Sequence, residues 1–341
     1  MCPESDTGVR GDLGNRILAL LLVFCFLTAF GWSGQASSRP NPARVGVLSL
    51  SAVTDDSRLW PFMNAFRQTL ADRGWMEGKN IVFEYRSAHG DPSRFSEAAV
   101  ELVGLDVDVI LASSAPALHA AQMATRTVPI VASDYTTNPV AVGYVENYSR
   151  PGGNVTGVFL DAPEFAGKWF ELLQAIIPDL SRVAVLWDPS PGTTHLEAVR
   201  RVGGMLNIEL QVLQVRKPDD IDKAFSAISG QSQAVIFLPS PMLHGANAQL
   251  ASLTLKRRLP GISMASLFAT AGGTLSYGPD LTETWRRCGM FVAKILGGSN
   301  PAELPVERPS SIQLVVNMRS ATAFGITIPQ SILLRADEVI R

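Results

Sequence analysis

From Arg44 onward the chain repeats one unit: a short β-branched apolar run, a loop, and a stretch whose apolar residues recur at helical spacing. Eleven such runs predict strands, at 45–50, 81–85, 107–112, 128–133, 154–160, 182–187, 208–215, 233–239, 259–264, 273–278 and 312–318. Several, such as VDVILA and RVAVLW, are apolar on both faces, as strands buried in a parallel sheet are. Helical patterns lie between them, near 93–104, 116–125, 164–177, 194–206, 219–228, 245–257 and 281–296. In LWPFMNAFRQTLADRGW, Phe62, Ala65, Phe66, Thr69 and Leu70 return at helical spacing, and Gly74 stands where a helix end favours glycine. Alternation over most of a chain predicts an α/β architecture of doubly wound parallel sheets, with helices on both faces.

The 341 residues are enough for about two domains at ~150 residues each. One segment interrupts the repeat: SRPGGNVTG (149–157), with Pro151, Gly152, Gly153 and Gly157. It reads as a flexible junction between two lobes of similar size, or as an ordinary surface loop.

The N-terminus stands apart from this pattern. Residues 17–30 are nearly all apolar, Arg16 precedes them, and GWSGQASSRPNPA follows. The run is shorter than the ~20 residues that span a bilayer. It fits a secretory signal peptide over 1–36, with Gly34 and Ala36 as the small residues before the cut, or an uncleaved anchor. Cleavage after Ala36 removes Cys2 and Cys25 and leaves Cys288, so no internal disulfide is expected. The formal net charge of −2 gives no general attraction to nucleic acid or to an anionic membrane.

Catalytic motifs are missing. No serine stands in G-x-S-x-G, G-x-G-x-x-G is absent, and Gly167-Lys168 is followed by Trp169. The histidines His89, His119, His195 and His244 are far apart and lack metal-ligand spacing. Asp55-Asp56, in the loop after the first strand, reads as a polar loop before it reads as an acid/base pair. No cofactor and no metal are expected.

In open α/β sheets ligands bind beyond the carboxyl ends of strands. The loops there, among them SLSAVTDDS, SSAP, SDYTTNP, DAPEF, DPSPGTT and PSPMLH, are rich in Ser, Thr, Asp, Pro and Gly and nearly free of cations. That profile suits a small ligand held by hydroxyls, amides and a few carboxylates. Ser113 and Ser114 end an apolar strand and begin a helix, where unpaired N–H groups can hold a carboxylate. Asp134, Asp161 or Asp188 can pair with an ammonium group, and Tyr135, Trp60 or Phe268 can stack on an apolar portion. Each also has a plainer reading, Ser114 and Asp188 as helix caps and Trp60 as core.

Eight stretches in order, among them VGVLSLS, VDVILASSAPALHAAQMATRTVPIV, NPVAVGYVENYSRPGGNVTGVFLD, GKWFELLQAIIPDLSRVAVLWDP and LVVNMRSATAFGITIPQSILLRADEVI, resemble the ABC-transporter substrate-binding proteins of the tryptophan/tyrosine-binding type. The resemblance covers about 45–340. It implies the type I periplasmic binding fold, two lobes joined by a multi-strand hinge. The lobes expected are 44–153 with about 280–308, and 154–279 with about 309–341. It also implies a small organic ligand, such as an amino acid, a permease and ATPase as partners, a periplasmic location and no enzymatic activity. Membrane contact would come only through the permease or an uncleaved leader. By position the ligand-binding candidates are Ser49, Ser51, Ser113, Ser114, Ser133, Asp134, Asp161, Asp188 and Tyr277. A ligand-sensing module and a two-lobed hydrolase or transferase are the alternatives.

Overall fold

The computed structural model describes residues 42–51, 60–160 and 164–341. The leader, the pair Asp55-Asp56 and Asp161 lie outside them, as does the side chain of Trp60. The first lobe runs β1 (Ala43–Ser49), α1 (Trp60–Ala71), β2 (Ile81–Ser87), α2 (Phe95–Gly104), β3 (Val109–Ala112), α3 (Ala115–Ala124), β4 (Ile130–Asp134) and β5 (Val155–Phe159). Its five strands pair in the order β2-β1-β3-β4-β5, all parallel. The period of two along each strand divides the apolar residues between two faces. Leu48, Ile110, Ala112, Ile130 and Ala132 meet Phe95, Leu102 and Leu118 of α2 and α3. Val45, Val47, Val109, Leu111 and Val131 meet Phe62, Phe66, Trp285 and Phe291 on the other side. Full burial of each large apolar side chain stabilises the fold by about 1.5–3 kcal/mol.

The second lobe continues through α4 (Glu164–Ile176), β6 (Arg182–Trp187), α5 (Thr194–Met205), β7 (Glu209–Gln214), α6 (Asp220–Ala227), β8 (Ala234–Phe237), α7 (Pro241–Gly245), α8 (Asn247–Arg257), β9 (Gly261–Ser263), α9 (Ser266–Thr270) and β10 (Leu275–Pro279). The chain then returns through α10 (Leu281–Leu296), which packs on the first sheet against α1, with Phe66 and Trp285 edge-on at 6.3 Å. It crosses again into β11 (Ile312–Asn317), α11 (Met318–Phe324), α12 (Gln330–Leu333) and β12 (Glu338–Ile340). The seven strands order as β12-β11-β10-β9-β8-β6-β7, and only the β10–β11 pair is antiparallel. Each of the eleven predicted strands forms. The short strand β12 is an addition, held by pairing with Val315–Asn317 of β11.

One expectation is corrected. The segment 149–157 does not end the first lobe, because Val155–Phe159 is the outer strand of the first sheet. Gly157 is required there by a close approach rather than by flexibility. It lies opposite Ala132 with φ +133°, and a Cβ would sit 2.2 Å from the Ala132 carbonyl oxygen. The lobes join farther on. The chain passes between them after β5, at 279–281 and at 308–311. These passages are tied together: the amides of Phe159 and Glu307 donate to the carbonyls of Glu307 and Gly157, at 2.9 Å each, and Asp280 N–H donates to Ser311 O at 3.0 Å. The Glu307 carboxylate receives Arg287 Nε from α10 at 2.6 Å, with a second contact from Nη2.

Candidate ligand-binding cleft

A cavity of about 370 Å³ opens at the carboxyl ends of the strands, and both lobes border it. The first lobe contributes Leu50 and Ser51 after β1, Ser113 to Pro116 after β3, and Asp134 to Thr136 at the end of β4. Phe62 of α1 and Leu281 and Trp285 of α10 close that side with apolar surface. From the second lobe come Pro191, Pro239 to Pro241, His244, Gly245 and Leu267. No Lys or Arg is among these described residues.

Two turns of the same construction face the cavity, one per lobe. Ser114 follows β3 with extended backbone, and its Oγ accepts the Ala117 amide at 3.4 Å. Ser240 follows β8 in the same way, and its Oγ accepts the Leu243 amide at 3.0 Å. Proline occupies the first turn of each helix, where its missing N–H costs nothing. Both serine oxygens therefore act as caps, and their hydroxyl protons remain for donation. Neither is bonded to a histidine. Ser113 donates to Leu48 O at 3.0 Å, so it too lacks the base a nucleophile needs.

Asp134 is fully buried. Its Oδ1 accepts the Thr136 amide and hydroxyl, each at 2.9 Å, and its Oδ2 is buried without a partner. Burial pushes its carboxyl above the usual carboxylate range, against the pull of the nearby Thr137 and Thr136 groups. A buried polar atom left bare is costly, and a ligand bearing a cation can satisfy it. Across the cavity, His244 also has a buried, unpartnered Nε2, and burial pushes its imidazole down to about 4, so it is neutral.

Of the nine candidates, Ser51, Ser113, Ser114 and Asp134 border the cavity. Ser49 is buried and donates to Ser51 O at 2.7 Å, shaping the turn. Ser133 is buried and donates to the Tyr135 hydroxyl at 2.8 Å. Asp188 has both oxygens engaged by Ser190, through its amide and its hydroxyl at 2.9 Å each, and does not border the cavity. Tyr277 packs on Phe165 with ring centroids 5.6 Å apart, and its carbonyl accepts Trp169 Nε1 at 2.9 Å, within the second lobe. Phe268 is core, against Phe237 at 5.0 Å. Asp161 lies outside the described residues.

Sequence reasoning placed the loop PSPMLH (239–244) on the ligand side without singling out Ser240 or His244 in it, and missed Trp285 and Phe62. The strand-serine-proline pattern of SSAP recurs in PSP at 239–241, and that repeat was the signal for Ser240. Nothing in spacing marks the others. Among the described residues no group of His, Cys, Asp and Glu is placed to hold a metal ion, and no helix is long and apolar enough to cross a membrane.

The chain is similar in sequence and fold to known proteins. The family model for ABC transporter substrate binding proteins matches residues 45–340. A tyrosine-binding protein of Clostridioides difficile (strain R20291) is 22% identical over 275 residues, 79% of this chain and 78% of that one. A solved structure of a conserved domain protein from Vibrio cholerae O1 biovar eltor is 28% identical, with a TM-score of 0.78 over 88% of this chain and 100% of that one. An ABC domain from Streptococcus pneumonia in complex with L-Trp is 23% identical, with a TM-score of 0.79 over the same shares.

Proposed function

Since the chain belongs to the family of ABC transporter substrate binding proteins, we propose that it is the receptor of an ABC importer for a small organic ligand that carries an ammonium group. The ligand is enclosed between the lobes, and the loaded protein delivers it to a permease and ATPase pair. The observation that carries this reading is Asp134 Oδ2, buried and bare at the border of a cavity that both lobes build. No cation of the described wall competes for that oxygen. Volume agrees, since about 370 Å³ lies at the small end of the ~300–1,000 Å³ of ligand pockets.

Phe62, Leu281 and Trp285 offer an apolar wall for the rest of the ligand. Names of similar proteins, a tyrosine-binding protein and a complex with L-Trp, favour an amino acid with an aromatic side chain. The leader pattern at 1–36 favours export and a periplasmic place of work. Ser113, Ser114 and Ser240 of the cavity are engaged by a strand carbonyl and by helix caps and not by a histidine, which gives catalysis through them no support. Calorimetry with a panel of amino acids, amines and neutral or anionic metabolites tests the reading. Binding of an ammonium-bearing member, lost in Asp134→Asn, is expected. Tight binding of an anion or a sugar with no such dependence would overturn it.

A further inference from the structure

Of the buried side-chain atoms that lack a partner among the described residues, two belong to the wall of the cavity, and they come from opposite lobes: Asp134 Oδ2 and His244 Nε2. The first accepts only. The second stands on the short helix α7, one turn beyond the Ser240 cap, its amide bonded to Ser240 O at 2.9 Å. Ser240 Oγ accepts the Leu243 amide, and Ser114 Oγ the Ala117 amide. Both keep a hydroxyl proton to give. The polar wall thus sets a bare carboxylate oxygen at β4 beside hydroxyls at the two caps that still have a proton to give.

We propose that His244 is a specificity-determining residue, whose Nε2–H donates to a carboxylate oxygen of the ligand while Asp134 takes the ammonium, so that a zwitterion is held with one of its two ends against each lobe. This rests on the reading of Asp134 given above. A neutral imidazole suits the task because a single tautomer supplies the proton at Nε2, and its burial keeps water from that bond. A site that has buried a donor for an oxygen rejects an analogue lacking that oxygen, because the donor is then left bare. A bare amine should therefore bind less well than the amino acid of the same side chain.

The test is calorimetry on the full exported chain with the twenty proteinogenic L-amino acids, the decarboxylated amine of each and the deaminated acid of each. Variants are His244→Leu and His244→Gln, with thermal melts to establish folding. The wild type should prefer an amino acid over its amine by about tenfold or more. His244→Leu should lose about tenfold or more for the amino acid and less than about threefold for the amine, while His244→Gln, which keeps an N–H donor, retains most of the affinity. A second readout needs no variant to bind. The imidazole ¹⁵N signal assigned to His244, by its absence from His244→Gln, should move on adding the amino acid and stay on adding the amine. Equal losses for amino acid and amine, or none, would overturn the role of His244. Amines that bind through Asp134 with no preference for amino acids would overturn it too, yet leave the receptor reading standing. Failure of both classes to bind overturns both.

Discussion

The role proposed for Asp134 sets stability against binding, and a single substitution exposes the trade. Its carboxyl holds a proton more readily in the folded chain than in the unfolded one, because burial disfavours the charge. Its contribution to stability is therefore full below the unfolded carboxylate range and is lost as pH rises through the raised folded value. In the unliganded protein at neutral pH keeping this carboxyl buried costs stability. Asp134→Asn should raise the melting temperature of the unliganded protein at pH 7, by about 1–3 kcal/mol in unfolding free energy. That gain should shrink on acidification, followed by thermal melts from pH 7 down to pH 4. The same variant should bind its ligand at least about thirtyfold more weakly, as loss of one member of a buried charge pair costs about 2–5 kcal/mol. A destabilised variant, or one whose gain grows on acidification, would contradict this account. Ser114 differs, since one oxygen both caps α3 and borders the cavity. Ser114→Ala should cost folding about 0.5–1 kcal/mol and ligand affinity about tenfold, compared by denaturant melts and calorimetry. Unchanged affinity would leave it a plain cap. Cys288 carries no such dual role. Its thiol is buried and pushed up to about 12, so native protein should resist thiol reagents until unfolded.

At the scale of elements, what the sequence reveals depends on where the constraint lies. Strands such as Val109–Ala112 and Arg182–Trp187 are legible because both faces are buried and the residues are apolar and often β-branched. The strand Glu338–Ile340 is not, for it is three residues long and exists through its pairing with β11. Gly157 shows the opposite failure. Near Pro151 and two further glycines it suggests a flexible junction, yet tertiary contact with the β4 backbone is what demands it. Gly157→Ala should destabilise by about 2–4 kcal/mol, because the Cβ meets backbone atoms that cannot rotate away. Denaturant unfolding measures it, and a change below about 1 kcal/mol would show that β5 shifts to accommodate the methyl group. The cavity was half legible for the same reason. Loops at strand ends identify Ser113, Ser114 and Asp134, but not which face of a loop points inward, so Asp188 and Ser133 look alike until their hydrogen bonds are seen. A lone histidine such as His244 carries no spacing signal at all, and its meaning comes from burial beside the other lobe's loops.

For the whole molecule the question is how contact with a ligand becomes an arrangement of lobes. Tyr135 follows the Asp134 anchor directly and packs against apolar clusters of both lobes. Its carbonyl accepts His195 Nε2, from the start of α5 in the second lobe, at 3.2 Å. The residue next to the proposed ammonium site thus carries a bond between lobes, while His195 does not border the cavity. Apparent affinity is the intrinsic affinity scaled by the fraction of molecules already in the binding-competent arrangement. Removing the bond should lower that fraction and leave the ligand's own contacts intact. His195→Phe should therefore weaken every ligand by the same factor, about three- to tenfold, and enlarge the unliganded protein in small-angle scattering. His244→Leu should behave in the opposite way, its loss falling on the amino acid and sparing the amine, without a change in size. If His195→Phe altered the ranking of ligands, the histidine would act on the ligand and not on the lobes. If it changed neither affinity nor size, the hydrogen bond to Tyr135 would be dispensable to closure.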